Sequence, residues 1–404
     1  MQYNILDFGA VADGVTLCTK EIQRAIDVCE KGGTVLIPAG VFVTGALFLK
    51  SNVTLRFQEG AKLLGSGNIE DYPIKGGPYE GLDQLNFASV LNTDGAPYEN
   101  ITIEGKGVID ANGKALFKPQ LEKLPIKRGR CIWLRNVQNL VIKDVTFRQS
   151  PAWCVHLIYC KNVHLDGIQV YSKYDEQGVP YGIFNGDGID IDSCQNVHIE
   201  NCIIGSQDDS IAVKSGRDEE GRRVGIPSKD ILIENSSFIS GFGVAMGSEM
   251  AGGVENVTVR NCTFKDTFSI ASLKAIRGRG NYIRNIRYED CTHDNQSTEH
   301  SDTKWFRGAI YLDGFYGSEE FDADTPLAVD EGTPIIEDIY FKNLDVRTVA
   351  GNAVYLCGLP ERHYRNIYME NVKAHGKYGM KVKNIDNLQM DNVEVTYDEE
   401  GGLY

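Results

Sequence analysis

One short pattern recurs eleven times in this chain: Asn or Asp, an apolar residue, any residue, then a second apolar residue. It stands at Asn52-Val-Thr-Leu, Asn100-Ile-Thr-Ile, Asn139-Leu-Val-Ile, Asn162-Val-His-Leu, Asn196-Val-His-Ile and Asp230-Ile-Leu-Ile. It continues at Asn256-Val-Thr-Val, Asn285-Ile-Arg-Tyr, Asp338-Ile-Tyr-Phe, Asn366-Ile-Tyr-Met and Asn387-Leu-Gln-Met. Alternation of period two marks a strand with one face turned inward. A leading Asn or Asp tolerates the left-handed backbone that a turn into such a strand requires. The spacings are 48, 39, 23, 34, 34, 26, 29, 53, 28 and 21 residues. The shortest set a coil of 21 to 23 residues, and the longer ones hold inserted loops or a skipped coil. Self-similarity at such a period means a solenoid. With strands as its units, the expected fold is all-β, a right-handed single-stranded parallel β-helix. A leucine-rich horseshoe would need a Leu spacing and helical segments that are missing.

Residues 1–50 read as an N-terminal cap continuous with the solenoid, and residues 51–404 as the β-helix with inserted cleft loops. In the cap, Thr19 to Glu30 carries apolar residues at 22, 25, 26 and 29, the stripe of a helix. Thr19 is placed as its N-cap and Gly32-Gly33 as its stop. Laid over the first coil, this helix would cover strand edges that a solenoid otherwise exposes. The loop candidates are residues 66–98, 111–129, 172–184, 216–229 and 292–334, and insertions of this kind usually wall a binding cleft. The last residues, from Tyr397, are expected to fray.

Composition fits a turn-rich β protein: 43 glycines and 12 prolines among 404 residues, with 42% hydrophobic. The formal charge of −15, from 41 basic and 56 acidic side chains, comes without any basic stripe. Nucleic acid and anionic membrane are therefore excluded as partners. Ten cysteines occur without a Cys-x-x-Cys pair, so they are read as reduced and structural rather than as zinc ligands. The first residues show no basic segment followed by an apolar run, so the expected location is cytoplasmic, with secretion if a leader was trimmed. No cofactor and no metal are expected.

The chemistry concentrates in residues 185–216. Asp187 precedes Asp208 and Asp209 by 21 and 22 residues, one coil length. Adjacent strands lie about 4.8 Å apart, so one coil length brings the three carboxylates to one flank. A convergent acidic set suits acid–base cleavage of a glycosidic bond. Neighbours 208 and 209 would face opposite ways on a flat strand, and Gly205-Ser-Gln suggests a turn or bulge that lets both reach one groove. Two other readings compete: turn-capping aspartates, and a calcium-dependent lyase using Asp190 and Asp192 as well.

With cap, coils and acidic cluster in place, the chain resembles the polygalacturonase-like glycoside hydrolase family 28 over nearly its full length. The resemblance rests on Asp7-Phe-Gly-Ala, Ala39-Gly, Leu49-Lys-Ser-Asn-Val-Thr-Leu and Ser150-Pro-Ala-Trp-Cys-Val-His156. Asn185-Gly-Asp-Gly188 matches the family's Asn-Thr-Asp-Gly box, and Gln207-Asp-Asp209 its Asp-Asp box. There are two departures. Gly241-Phe-Gly243 replaces the family's Gly-His-Gly, and Ser272-Leu-Lys274 replaces Arg-x-Lys, followed by a family-like Arg277-Gly-Arg-Gly280.

The resemblance implies an inverting hydrolase, with Asp208 as acid and Asp187 and Asp209 holding the attacking water. The candidate sugar contacts, read from residue type and placement beside that resemblance, are Asn185, Trp153, His156, Lys214, Phe242, Glu249, Lys274, Arg277, Trp305, Arg307 and Tyr311, with a structural role left open for His156, Phe242, Glu249 and the loop of Trp305 and Arg307. Phe242 cannot titrate, and Ser272 cannot form the bidentate clamp an Arg makes. Of the remaining histidines, His164 and His198 lie within the repeat and are read as structural. The expected substrate is a pectin-related oligosaccharide of the plant cell wall, galacturonate- or rhamnogalacturonan-type, cut from one end. The alternatives are a neutral sugar such as rhamnose linked to a uronate, and a catalytically silent carbohydrate-binding β-helix.

Overall fold

The computed structural model describes residues 1–301, 303–318 and 321–401. Asp302, within the loop that holds Trp305 and Arg307, and Gly402–Tyr404, at the end expected to fray, lie outside the described residues. The described chain is a right-handed parallel β-helix that divides into two compact units, residues 1–79 with 83–208 and residues 80–82 with 209–404.

In the first unit, the strands Val53–Phe57, Tyr98–Glu104, Val137–Lys143, Lys161–Asp166 and Gln195–Glu200 pair in parallel, each with the next. Register stacks Val53, Ile101, Leu140, Val163 and Val197 in one column and Leu55, Ile103, Ile142, Leu165 and Ile199 in another. All are 3% exposed or less, so these two columns are the core of the coils. Each such side chain contributes roughly 1.5–3 kcal/mol by leaving water. In the second unit Ile231, Val257, Ile286, Ile339, Ile367 and Leu388 form the equivalent column.

The leading Asn or Asp of the pattern explains how the coils turn. All eleven have positive φ, between 51° and 64°. Asn is among the few side chains that tolerate this region. Their amides also bond coil to coil. Asn100 donates to Asn52 at 2.9 Å, Asn139 to Asn100 at 2.8 Å, Asn162 to Asn139 at 2.9 Å and Asn196 to Asn162 at 2.8 Å. In the second unit the ladder runs from Asp230 through Asn256 to Asn285, and from Asp338 through Asn366 to Asn387.

The capping helix spans Thr19–Val28 and buries Ile22, Ala25 and Ile26. Its N-cap is Cys18 rather than Thr19, because the Thr19 hydroxyl instead accepts the Gly45 N–H at 2.7 Å, tying helix to coil. The helix ends at Val28, short of Gly32, and Gly33 opens a strand. Two segments read as loops contain helices, Gly113–Leu121 and Asp218–Val224. All ten cysteines are buried thiols outside any disulfide. Among the described residues, no helix is long and apolar enough to cross a membrane.

Candidate active site

Of the candidate residues, His156, Lys214, Lys274 and Tyr311 stand on short strands of a second sheet, Val155–Ile158, Ile211–Lys214, Ala271–Lys274 and Gly308–Asp313, and the others lie in the segments between strands. In the first unit, register aligns Trp133, His156 and Asp190 on three successive coils. Asp187 lies in the turn just before strand Ile189–Asp192 and is 3% exposed. Its carbonyl accepts the Cys154 N–H at 2.9 Å, and the Gly188 carbonyl accepts the Val155 N–H at 3.0 Å. The turn that holds Asp208 is stitched to the same place. Gln207 N–H donates to the Gly186 carbonyl at 3.0 Å, while Gly186 N–H donates to the Gln207 side-chain oxygen at 3.1 Å. Ser206 Oγ donates to the Asp208 carbonyl at 2.8 Å, closing the tight turn that the Gly205-Ser-Gln lead-in suggests. Asp187 and Asp208 thus leave the backbone on either side of one reciprocal clasp, and Asp208 is half-buried.

Asn185, at φ 49°, is fixed by Arg128, whose Nη2 donates to its side-chain oxygen at 3.0 Å. Arg128 also donates to the carbonyls of Pro151 and Phe184, both at 2.8 Å, and lies over the Phe184 ring at 4.3 Å. It therefore holds the turn leading to Asp187, a role the sequence reading did not give it. Trp153 is 2% exposed and stacks on Tyr79 with ring centroids 4.9 Å apart and planes at 8°. Arg130 packs beside it, 4.8 Å from the Tyr79 ring and 4.6 Å from Trp133. Burial pulls its guanidinium down to about 10. His156 is wholly buried, edge-on to Trp153 at 5.0 Å and 3.6 Å from the Asp192 carboxylate. Trp153 and His156 are thus enclosed by their own coil neighbours.

In the second unit Asp209 is 3% exposed, and both of its carboxylate oxygens accept from Lys274 Nζ at 2.7 Å. That ammonium also lies 4.9 Å from the Tyr316 ring and 5.9 Å from Phe242. Phe242 is packed against Phe268 at 5.0 Å and against the His300 ring at 4.9 Å. The position where the family motif has a histidine therefore carries a phenyl ring with an imidazole resting on it.

Lys214 and Glu249 pair at 3.2 Å, both nearly buried. Burial pushes the Glu249 carboxyl up, yet Lys214 and Arg279 together hold it at about 2. Arg277 donates from Nε and Nη2 to the two oxygens of Glu361, at 2.6 and 2.8 Å. This bidentate bond raises the arginine above its ordinary value and lowers Glu361. The Arg277 fork is thus occupied by a carboxylate of its own chain. Ser272 is fully buried and aligned with Tyr311 on the next coil. Tyr311 is likewise buried, and burial raises its phenol far above the ordinary value. Arg307 forms an ion pair with the enclosed Asp313, Nε 3.0 Å from Oδ2, and burial raises that carboxyl. Trp305 alone among the aromatic candidates is open, 44% exposed and 5.2 Å from Tyr316.

Comparison with known proteins bears on the family and the fold. The model described as glycosyl hydrolases family 28 matches residues 33–396. A probable polygalacturonase of Vitis vinifera is 32% identical over 385 residues, covering 92% of this chain and 74% of that protein. The exo-poly-alpha-D-galacturonosidase of Dickeya chrysanthemi is 32% identical over 305 residues, or 64% of this chain and 49% of that protein. A hyperthermoactive exopolygalacturonase from Thermotoga maritima has a crystal structure that matches with a TM-score of 0.78 at 28% identity. That match covers 97% of this chain and 92% of the other.

Proposed function

Because the chain belongs to glycosyl hydrolase family 28, and is therefore a glycoside hydrolase, we propose that it removes sugars from one end of a pectin-derived galacturonate oligosaccharide with inversion. Inversion needs one carboxyl to protonate the leaving oxygen and another to activate a water, separated by roughly 6.5–9.5 Å. Asp208 serves as the acid, and Asp187 and Asp209 hold the water. The observation that carries this division is the Asp209–Lys274 bond. Both Asp209 oxygens already accept from the ammonium, so neither is the one that carries a transferable proton. The exo mode is supported by the relatives from Dickeya and Thermotoga, which are named for it.

A specific observation favours a second reading of the sugar. Uronate recognition by arginine uses a bidentate fork, yet Ser272 supplies none and the Arg277 fork is held by Glu361. A neutral sugar such as rhamnose linked to a uronate would not need that clamp. Oligogalacturonides and rhamnogalacturonan oligosaccharides, each incubated with the enzyme and resolved by anion-exchange chromatography, separate the two. Monomeric galacturonate from the first supports the principal reading, and release from the second alone supports the alternative. No turnover on either sinks both and leaves a carbohydrate-binding β-helix.

A further inference from the structure

Outside the acidic cluster, the exposed face of the first unit holds an unusual group. At one register position the residues on successive coils are Thr54, Thr102, Val141, His164 and His198. The first three are β-branched, the ordinary choice for a half-exposed strand. The last two are imidazoles, stacked with centroids 5.2 Å apart and planes at 9°. Two places further along the second of these strands, Glu200 reaches back over the pair. Its Oε1 lies 2.9 Å from His164 Nε2 and 3.9 Å from His198 Nδ1. The three side chains are 42%, 37% and 24% exposed.

Bonds of about 2.0–2.2 Å from zinc to nitrogen and oxygen, at tetrahedral angles, put donor atoms about 3.3 Å apart. The two observed separations straddle that value, and all three donor atoms lie within 4.8 Å of one another. Parallel rings do not aim both lone pairs at one point, so coordination requires a rotation about χ2, which the exposure of both imidazoles permits. Two imidazoles and one carboxylate leave a fourth position for water, and this mixed nitrogen–oxygen set suits zinc, nickel or copper rather than calcium or magnesium.

We propose that His164, His198 and Glu200 bind one divalent transition-metal ion of the zinc class across two successive coils. The ligands come from strands 34 residues apart in sequence, so the ion would act as a staple between coils, separate from hydrolysis. A ligand that binds the folded chain alone raises its apparent stability by mass action.

The test is titration of the full chain with Zn²⁺ by calorimetry, alongside its thermal midpoint with and without zinc. The expected result is one ion per chain and a raised midpoint. His164→Ala and His198→Ala should each weaken binding about tenfold or more, and the double variant should lose both effects. Far-UV circular dichroism of each variant checks that the β-helix is intact, and both imidazoles are partly exposed, outside the core columns. Co²⁺ in place of Zn²⁺ adds a second readout, a visible ligand-field spectrum without a thiolate charge-transfer band. Zinc affinity unchanged in the double variant, no saturable binding by the wild type, or a thiolate band pointing to a cysteine would each overturn the proposal.

Discussion

At the scale of single residues, charges in this protein are held by partners far away in sequence. Glu249 is the clearest case. Its folded value of about 2 lies below the 4.5 of an unperturbed glutamate. A carboxyl depressed in this way contributes stability that is fully present above about pH 4.5 and lost as pH falls toward 2. For Glu249 that contribution is about 3 kcal/mol. Glu249→Gln should therefore lower the urea midpoint at pH 7, by leaving Lys214 buried beside a neutral amide. It should also flatten the decline between pH 4.5 and 2. A variant whose midpoint falls as steeply as the wild type over that window would contradict the assignment. Asp208→Asn tests the catalytic proposal at the same scale. General acid catalysis supplies about 10²–10⁴-fold, so turnover should drop by that factor while oligosaccharide binding, read by calorimetry, persists. Several of these partnerships were not legible in the sequence. Lys274 and Arg277 were read as grips for substrate, but they bond Asp209 and Glu361, 65 and 84 residues away. Only the folded coils bring such residues together, and Arg128 went unnoticed for the same reason.

At the scale of elements, the sequence was most informative where one side chain answers one backbone requirement. Each of the eleven leading residues sits in the left-handed region that its identity suggested. The apolar positions behind the first ten stack in the core columns, whereas in the last repeat Leu388 is only partly buried and Met390 is exposed. The energetics of this arrangement can be dissected at Asn139. Asn139→Ala loses its 2.8 Å bond to Asn100 and its 2.9 Å bond from Asn162, and also places a Cβ-bearing residue without a compensating amide at φ 60°. Together these should cost about 1–3 kcal/mol. Asn139→Gly keeps the backbone tolerance and should cost less. Equal losses in chemical denaturation would mean that left-handed strain plays no part. Where elements depended on insertions rather than on the period, the sequence was less readable. Helices Gly113–Leu121 and Asp218–Val224 fall within stretches read as loops. Both are short, and the first contains Pro119, so neither shows a long helical stripe. The start of the capping helix was misplaced by one residue because the hydroxyl of Thr19 bonds across to Gly45, a tertiary contact that local rules do not contain.

For the molecule as a whole, the repeat made the fold class legible and the Asp boxes made the family legible, whereas the sugar was not. Specificity depends on which cations remain available after the chain has satisfied its own carboxylates, and that accounting exists only in three dimensions. The hydrolytic assignment leads to a stereochemical outcome that no binding protein and no retaining enzyme would share. Proton NMR of the first sugar released from an α-linked pectic oligosaccharide, recorded before mutarotation, reads it directly. The anomeric signal should be that of the β product. An α product, or no product from any galacturonate- or rhamnogalacturonan-derived substrate, would contradict inversion by Asp187, Asp208 and Asp209.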